Sequence, residues 1–518
     1  MKRPLLCPSL YNLHRTLITP PRHPGPHKIS LIDLGYPNQN EGPFTYSSAT
    51  VFDALQRQGI SSTIHSYPVN RTDLGTFRSA IRKHLIAMPQ TDIASGSYIW
   101  NTDYIKVIND EVAVARQDGH FDADFILGGP MATYTPRDTT TTNSETNFIA
   151  IGFSEYDLTQ HYLDPRSNTS VISVTDLDDP QNIIEADRKR LLSFKSTPMA
   201  TYLNLNRPYL FDLGKQYGSV KIRATLTQVG CAFRCSFCQW PGGGQKREFV
   251  PSRLNDVQDI LVLEKELRQH HIILDVSVND AIFNSGTLYL TVLDAFINGG
   301  FQGKLSLQCR PEMIEKEFLD RIVTLTTQGA MVLLEFGIQT YNRDENKAIQ
   351  RNNNFKKIEE KIALIQEVET AKGIRIPVEF SLIYGLPLQT VASFKHSIFR
   401  VKQISQSLNF GAGAPIIAFP LSFLPGTALT RSRETYEFEL SAQPDTYVTL
   451  SKADTAMQEK ALYGIRSSTF TFEEYQDMTQ AAITLNEAYD TKTRIRDEQF
   501  GIGLKKKSTD PGHLLIQK

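Results

Sequence analysis

The residues best able to do chemistry lie in one short stretch, GCAFRCSFCQWP, at positions 230–241. Three of the chain's five cysteines fall within it, spaced as Cys231-x3-Cys235-x2-Cys238. Thiolates this close in sequence, on a loop after a predicted strand, can converge on one metal centre. Zinc would need a fourth protein ligand, and its ligands usually come in two short pairs. A cubane iron–sulfur cluster usually takes four cysteines, so three would leave one iron open for chemistry.

Length and charge narrow the class of protein. At 518 residues the chain is too long for one ordinary domain, and its 40% hydrophobic content can build several cores. The net charge of −1, from 55 basic and 56 acidic residues, gives no overall field for nucleic acid or an anionic membrane. No apolar run reaches the ~20 residues that span a bilayer, and the few scattered cysteines suit a reducing compartment. We expect a cytoplasmic protein that acts on a small-molecule substrate, with no nucleic-acid or membrane partner.

After a proline-rich arm (residues 1–27), the pattern predicts an α/β domain over residues 28–160. Amphipathic segments alternate with five short apolar runs: HKISLIDLG, STIHSYPV, DIASGSYIW, DADFILGG and NFIAIG. Such alternation is typical of a doubly wound, Rossmann-like sheet, whose ligands lie beyond the carboxyl ends of the strands. Small residues in the loops there would admit a bulky ligand close to the backbone, or they only make tight turns. They include Ser97, Gly128, Gly129 and Gly152.

A second β-then-α repeat follows a connector at residues 161–218. Its six strand-like runs are KIRATLTQ, IILDVSV, KLSLQC, MVLLEFGIQ, IPVEFSLIYG and APIIAFPLSF. The repeat predicts a (β/α)6 parallel partial barrel at residues 219–430, with an active site at the carboxyl ends of its strands. A helical C-terminal region at residues 431–518 is predicted to follow.

The cysteine stretch resembles the signature of the radical S-adenosylmethionine (SAM) superfamily. The resemblance rests on CxxxCxxC, with a glycine before the first cysteine and Phe237 before the last. It implies that Cys231, Cys235 and Cys238 are the catalytic metal site and ligate a 4Fe-4S cluster, whose open iron binds SAM. Reduction by an external electron donor, such as flavodoxin or ferredoxin, would cleave SAM to methionine and a 5′-deoxyadenosyl radical. The superfamily's six-strand partial barrel agrees with the predicted second domain.

Further segments resemble the SAM-binding strands of that superfamily. VNDAIFNS after the second strand is similar to the part that binds the amino group, LEFGIQT to the ribose part, and FSLIYGLP to the adenine part. A charge at the end of the third strand could meet the SAM carboxylate. Each of these residues could instead be an ordinary barrel residue, since strand-end acids often cap the next helix. The residues implied are Asn279 and Asp280 (amino group), Arg310 (carboxylate), Glu335 and Gln339 (ribose), Ile383 and Gly385 (adenine), and Phe237, with no particular part of SAM assigned to it.

The order of domains resembles the branch of the superfamily that carries an N-terminal cobalamin (B12)-binding domain. GGPMATYTP is similar to that branch's Gly-Gly-Pro loop, and GFSEYDL stands in place of its Gly-Glu-Gly-Glu loop, with Phe153 instead of the first glutamate. FLPGTALT resembles a segment that follows the sixth strand in this branch. The cobalamin contacts that the resemblance implies are Ser97, Gly128, Gly129, Pro130 and Gly152.

The hypothesis that follows is a cobalamin-dependent radical SAM enzyme, a methyltransferase acting on an unactivated carbon of a small molecule. The alternative is a non-methylating radical SAM enzyme, catalysing dehydration, rearrangement or ring contraction, whose B12-like domain is degenerate or differently used. A third hypothesis is an iron–sulfur or cobalamin sensor that does not cleave SAM. Cys309, within an apolar run, is expected to be a buried small hydrophobe.

Overall fold

Two parallel sheets form the framework of the protein. The computed structural model describes residues 16–18, 28–153, 155–164, 170–189, 198–240, 245–249, 254–409, 411–442 and 461–500. Most of the predicted proline-rich arm and the lysine-rich end of the chain lie outside these ranges. Within the described ranges, no helix is both long enough and apolar enough to cross a membrane.

The N-terminal sheet has seven strands in the order β1-β3-β2-β4-β5-β6-β7. They are β1 (Thr16–Ile18), β2 (Lys28–Asp33), β3 (Ser61–Ser66), β4 (Asp92–Gly96), β5 (Phe125–Gly128), β6 (Phe148–Ala150) and β7 (Val171–Ser173). The five inner strands are parallel and coincide with the five predicted apolar runs, whereas β1 and β7 pair antiparallel at the edges. The chain reverses direction across the sheet between β2 and β4, which is the arrangement of a doubly wound fold.

Eight helices accompany this sheet and lead out of it, among the residues that the structure describes. They are α1 (Tyr46–Arg57), α2 (Leu74–Ala87), α3 (Thr102–Gln117), α4 (Gly129–Tyr134), α5 (Pro136–Thr142), α6 (Glu155–Leu163), α7 (Pro180–Lys189) and α8 (Met199–Tyr217). α1 begins where the Thr45 side chain accepts a hydrogen bond from the Ser48 backbone N–H, as an N-cap does. Its apolar face, with Phe52 and Leu55, is buried in the core.

The second sheet is a parallel half-barrel of six strands in the order β8-β11-β12-β13-β14-β15. These strands are β8 (Ser219–Ala224), β11 (Ile273–Val278), β12 (Lys304–Cys309), β13 (Met331–Gln339), β14 (Val378–Tyr384) and β15 (Ile416–Pro420). An antiparallel hairpin, β9 (Gln228–Cys231) and β10 (Gln245–Glu248), follows β8. The predicted α/β class, with a Rossmann-like domain before a partial barrel, is confirmed.

Helices cover the outer face of the half-barrel. They are α9 (Leu254–Gln269), α10 (Leu288–Asn298), α11 (Lys316–Thr327), α12 (Arg343–Ala348), α13 (Phe355–Lys372) and α14 (Val391–Ser405). Alternate residues of each strand separate two environments, because successive side chains point to opposite faces. On β13, Leu334 and Phe336 join the apolar core, whereas Glu335 and Gln339 are only half-buried. The inner face of the half-barrel is therefore polar.

The C-terminal region contains a small sheet as well as helices. It comprises β16 (Ser422–Phe423), α15 (Ala428–Arg431), β17 (Glu439–Ser441), β18 (Leu462–Arg466) and α16 (Phe472–Phe500). The antiparallel sheet, in the order β16-β18-β17, was not foreseen, because its strands have only two to five residues. α16 packs on β15 and buries Tyr475, Met478 and Ala482.

Ion pairs join the far end of α16 to the inside of the half-barrel. Arg496 pairs with Glu379, which also accepts a hydrogen bond from the Tyr489 hydroxyl at 2.8 Å. The Lys304 amine lies 3.5 Å from an Asp275 oxygen and 3.6 Å from Asp497. Since Lys304 begins β12 and Glu379 is the second residue of β14, this charged cluster closes the amino-terminal end of the barrel.

The loop after β2 covers the open edge of the half-barrel at β8. The Lys221 backbone N–H donates to the Asn40 carbonyl at 3.0 Å, and Glu41 forms a parallel bridge with Lys221. The Glu41 carboxylate also pairs with Arg223 at 3.1 Å. An uncovered edge strand exposes unpaired backbone groups, so this loop both protects the edge and fixes one domain against the other.

Asn206 on α8 holds the end of the same loop. Its amide oxygen accepts from the Phe44 N–H at 3.0 Å, and its amide nitrogen donates to the Phe44 carbonyl at 3.1 Å. Asn206 is 1% exposed. These two hydrogen bonds satisfy the N–H and the carbonyl of Phe44, which are buried away from water.

Asn206→Leu should lower the free energy of unfolding by about 2–4 kcal/mol, because it leaves the Phe44 N–H and carbonyl buried without partners. Asn204→Leu, two residues away on the exposed face of α8, is the matched control and should change it by less than about 0.5 kcal/mol. Urea unfolding monitored by circular dichroism measures both. Equal effects of the two substitutions would contradict the role of Asn206.

Candidate active site

The three cysteines lie beyond the carboxyl end of β8, on the β9–β10 hairpin. Cys231 is the last residue of β9 and is paired with Gln245 of β10, while Cys235 and Cys238 lie on the loop between the strands. The Phe233 N–H lies 3.5 Å from the Cys231 sulfur, and the Trp240 N–H lies 3.4 Å from the Cys238 sulfur. Such donors favour the charged thiolate over the thiol.

Two buried guanidinium groups lie against the cysteine loop. Arg351 Nη1 is 3.8 Å from the Cys235 sulfur, and the Arg310 guanidinium stacks 4.1 Å from the centroid of the Phe233 ring. One carboxylate, Glu312, pairs with Arg310. Arg310 is 3% exposed, and its Nη1 has no hydrogen-bond partner within the described part of the chain. Arg351 Nε has no hydrogen-bond partner there either. The pocket therefore carries excess positive charge and two free donors, which suits anionic groups.

These contacts fit an iron–sulfur cluster bound by three thiolates. Burial raises the pKa of Cys231, so its thiolate needs compensating positive charge, which Arg310 and Arg351 supply. In the described residues, no three histidine, cysteine, aspartate or glutamate side chains, the three cysteines included, are grouped to hold a single metal ion. The candidate ligands of a cluster are the three sulfurs, with backbone N–H groups and guanidinium groups beside them.

Asp280 anchors the strand connection that leads to the cysteines. Its carboxylate accepts hydrogen bonds from the Leu226 N–H at 2.9 Å, the Thr227 N–H at 2.9 Å and the Thr227 hydroxyl at 2.7 Å. Asp280 is 0% exposed. Its neighbour Asn279 is half-buried at the end of β11 and so is the more accessible of the two residues predicted for the SAM amino group. The contacts of Asp280 indicate a positioning residue.

The residues predicted for the adenosine part of SAM gather at the carboxyl ends of β13 and β14. Phe237 of the cysteine loop packs on the same apolar cluster as Ile383, and Gly385 follows the end of β14. Gln339 has φ +68° beside a register shift in β13, a backbone conformation rare outside glycine. A Cβ on Gly337 would lie 2.5 Å from Gln339 Nε2, so the Gln339 side chain lies directly over this glycine. Their roles in binding SAM stay predictions.

Glu335 is the predicted SAM residue that lies farthest from the cysteines along the barrel axis. It precedes Gln339 by four residues, or about 13 Å of strand. Its neighbour on β14 is Glu379, and burial together with Glu379 raises the pKa of Glu335. Lys221 and Lys304 act in the opposite direction. Glu335 thus borders the charged cluster at the barrel's amino-terminal end, and its ribose contact stays a prediction.

Cys309 is buried in the apolar core at 5% exposure. Burial raises the pKa of its thiol well above the usual range. Cys309 thus packs as a small apolar residue, and it lies in the layer under the helices rather than on the inner face of the barrel.

The residues predicted for cobalamin come together on three adjacent loops of the N-terminal domain. The Ser97 N–H donates to the Gly128 carbonyl at 2.8 Å, which joins the loops after β4 and β5. Gly129 has φ +84°, and a Cβ there would lie 2.8 Å from the Ser97 carbonyl. Pro130 follows in the first turn of α4. The Gly152 N–H donates to Thr133 Oγ1 at 2.8 Å, which ties in the loop after β6. Their contacts with cobalamin stay predictions.

An aromatic pair that the sequence motifs did not indicate lies on the loop after β4. Tyr98 and Trp100 stack with ring centroids 4.6 Å apart and planes 20° from parallel. The Trp100 indole Nε1 is buried and has no hydrogen-bond partner in the part of the chain that the structure describes. A flat aromatic surface and an unpaired donor beside the glycine loops suit a large planar ligand with polar substituents. The signal in the sequence was the position of these two aromatic residues, two and four residues after the end of β4.

The N-terminal loops face the cysteine loop across the domain boundary. The Tyr134 hydroxyl at the end of α4 donates to the Gln239 carbonyl at 2.9 Å, and Gln239 Nε2 donates to the Pro425 carbonyl at 2.8 Å. Phe153 packs against Val229 of β9. α4, the cysteine loop and the FLPGTALT segment therefore meet at one junction, which sets the two candidate cofactor sites face to face.

A family model described as the radical SAM superfamily matches residues 225–401, from the turn after β8 into α14. This chain carries a radical SAM domain. The matched part includes all three cysteines, Asp280, Arg310 and the strands β11 to β14. The radical SAM domain predicted from the cysteine spacing is confirmed over residues 225–401.

Relatives with a cobalamin-binding domain are also similar to the chain. The cobalamin-dependent radical SAM methyltransferase TokK of Streptomyces tokunonensis is 26% identical over 232 residues, 42% of this chain and 30% of that relative. The radical SAM methyltransferase TsrM of Kitasatospora setae, with cobalamin and a 4Fe-4S cluster bound, is 13% identical with a TM-score of 0.59, covering 89% of both chains. The cobalamin-dependent SAM radical enzyme OxsB is 12% identical with a TM-score of 0.60, covering 91% of this chain and 68% of its own. The two structures show that this chain shares their fold, and the TokK match spans less than a third of that relative.

Asp280→Asn should lower the free energy of unfolding by about 2–4 kcal/mol and reduce iron retention after reconstitution, because an amide cannot accept all three hydrogen bonds. Asn279→Ala is the control, since its side chain makes one weak contact, 3.5 Å from the Ser277 hydroxyl. Thermal unfolding and iron content measure both effects. Unchanged stability and iron content in Asp280→Asn, with SAM binding lost, would make Asp280 a direct SAM ligand instead of an anchor.

Proposed function

We propose that the protein is a cobalamin-dependent radical SAM methyltransferase that acts on an unactivated carbon of a small molecule. The observation that carries the proposal is the loop of three cysteines, set against Arg310 and Arg351 and facing the glycine-rich loops of the N-terminal domain. When bound, the 4Fe-4S cluster and SAM supply a 5′-deoxyadenosyl radical, and cobalamin supplies the methyl group. The protein's own contribution is binding, orientation and exclusion of water.

Charged side chains of the barrel would bind the polar parts of SAM, and apolar side chains would contact its adenine. Cys231, Cys235 and Cys238 hold the cluster, and the unpaired Nη1 of Arg310 is available to the SAM carboxylate. The apolar side chains of Phe237 and Ile383 offer a surface for adenine. The amide of Gln339, held at positive φ on the inner face of the barrel, offers hydrogen bonds to the ribose hydroxyls.

Asn279 is the candidate for the SAM amino group, because it is half-buried at the carboxyl end of β11, one residue before the Asp280 anchor. Its side-chain oxygen can accept a hydrogen bond from an ammonium group. Asp280 would then affect SAM binding indirectly, because its carboxylate holds the backbone of Leu226 and Thr227 that leads to the cysteines.

In the N-terminal domain, Ser97, Gly128, Gly129, Pro130 and Gly152 would hold cobalamin by its edges and nucleotide tail. Glycines let the ligand approach the backbone closely. The Trp100 ring and its unpaired N–H would add a stacking surface and one donor. The likeness of TokK, TsrM and OxsB, all described as cobalamin-dependent or cobalamin-bound, supports this assignment.

One feature favours the non-methylating alternative. Phe153 stands in the loop after β6 and packs against Val229 of the barrel domain, on which Phe249 also packs. An apolar ring between the domains narrows the space beside the Gly152 turn. If the N-terminal domain binds no corrin, or uses it differently, no methyl group is transferred. The 5′-deoxyadenosyl radical would then drive dehydration or rearrangement.

The anaerobically reconstituted protein should retain close to one corrin per chain after incubation with hydroxocobalamin and thorough desalting, read from its absorption spectrum. Trp100→Ala should lower the retained corrin severalfold, since it removes both the ring and the indole donor. Phe399→Ala, which removes an exposed ring from α14 of the barrel, is the control and should leave corrin retention within twofold of wild type. A cluster-loaded protein that retains no corrin would instead support the non-methylating alternative.

A further inference from the structure

The outer side of the cysteine loop is flanked by two other elements. The Ser236 N–H donates to the Ile349 carbonyl at 2.9 Å, directly after α12, and the Leu429 N–H of α15 donates to the Ser236 carbonyl at 2.8 Å. Ser236 is itself 4% exposed. The loop, α12 and α15 therefore present one continuous surface next to Cys235 and Cys238.

Each of these three elements carries an exposed cation within two residues of the Ser236 contacts. They are Arg234 on the loop, Lys347 on α12 and Arg431 on α15. In the described residues none of the three forms an ion pair with a carboxylate, and Arg431 donates only to the Gly426 carbonyl. Two residues of helix span about 5 Å between Cα atoms, so the backbones of these three cations lie near Ser236. We call this group, Arg234, Lys347 and Arg431, the basic rim.

The neighbouring charges leave the surface positive. Arg343 adds a further exposed cation on α12, where Asp344 is an exposed acid. Near α15, the Arg433 guanidinium lies 3.9 Å from the Glu434 carboxylate. Arg351, one layer deeper, adds a buried positive charge against Cys235. The chain as a whole has a net charge of −1, so its overall charge does not explain this local positive surface. A local surface of one sign favours binding of a partner with the opposite charge.

We propose that the basic rim is the docking surface for an acidic one-electron carrier protein. The proposal rests on the proposed function, because a cluster held by these cysteines must be reduced before SAM is cleaved. One electron would leave the carrier's reduced cofactor and enter the cluster, so that the carrier is oxidised and the cluster is reduced. Contact at Arg234, which is exposed and directly precedes Cys235 in the sequence, brings the carrier beside the cysteine loop.

Electrostatic attraction suits such a partner. Complementary charges accelerate encounter and orient the partners, and they weaken as salt screens them. A carrier has to bind, transfer an electron and leave, so an exposed and charged surface serves better than an apolar one. The basic rim, with its three exposed cations, is such a surface.

The test measures binding of oxidised flavodoxin, an acidic flavin protein, to the cluster-loaded protein by calorimetry at low and high salt. The wild-type Kd should rise steeply with salt, and Lys347→Glu/Arg431→Glu should raise the low-salt Kd about tenfold or more. Lys402→Glu, an exposed lysine on α14 near the amino-terminal end of the barrel, is the matched control and should stay within about twofold. The proposal would be overturned if Lys347→Glu/Arg431→Glu bound flavodoxin with the wild-type Kd. It would also be overturned if Lys402→Glu raised the Kd as much as the double variant does.

A second readout separates this proposal from the proposed function. With dithionite, a small reductant that needs no docking surface, SAM cleavage by the double variant should equal that of the wild type. Slower cleavage in the variant with dithionite would mean that Lys347 and Arg431 support the site itself, and would overturn their role in docking. No cleavage by the wild type would refute the proposed function, while the calorimetric comparison would still decide the docking surface.

Discussion

The open edge of a six-strand sheet is the constraint on which the rest of the structure depends. A half-barrel leaves β8 with unpaired backbone groups, and these must be covered. The loop after β2 covers them through the Asn40 and Glu41 contacts with Lys221, so the N-terminal domain is fixed beside the first barrel strand. Because the cysteine hairpin follows that same strand, closing the edge also brings the glycine-rich loops over the cysteines.

The interior of the half-barrel divides into two zones. At the amino-terminal end, Lys304, Asp275, Glu379 and Arg496 neutralise one another in a buried cluster tied down by α16. At the carboxyl end, the guanidinium groups of Arg310 and Arg351 have one acidic partner, Glu312, and two of their nitrogens, Arg310 Nη1 and Arg351 Nε, have no hydrogen-bond partner in the described part of the chain. Buried charges are costly unless they are paired, so the unbalanced zone is the one built to receive a ligand.

Much of the architecture could be predicted from the sequence, because it depends on local periodicity. The five inner strands of the first domain and the six barrel strands are apolar runs bounded by glycines or polar residues, and the cysteine spacing indicated the metal site directly. The β9–β10 hairpin and the β16-β18-β17 sheet could not be predicted, since strands of two to five residues carry no periodic signal. Arg351 and Trp100 were missed for another reason: only the tertiary fold brings Arg351 to Cys235, and only the packing shows that the Trp100 N–H is unpaired. Asp280 was found as a residue, but its role as an anchor depends on backbone groups more than fifty positions away.

The central claim is that the three clustered thiols hold a cluster that cleaves SAM at the carboxyl end of the half-barrel. The most direct test is 5′-deoxyadenosine formation by the reconstituted protein after anaerobic reduction with dithionite in the presence of SAM, followed by chromatography. The wild type and Cys309→Ala, which alters a packed thiol outside the site, should both form 5′-deoxyadenosine, and Cys235→Ala should form none. Undiminished formation by Cys235→Ala, or none by the wild type with a full complement of iron, would contradict the account.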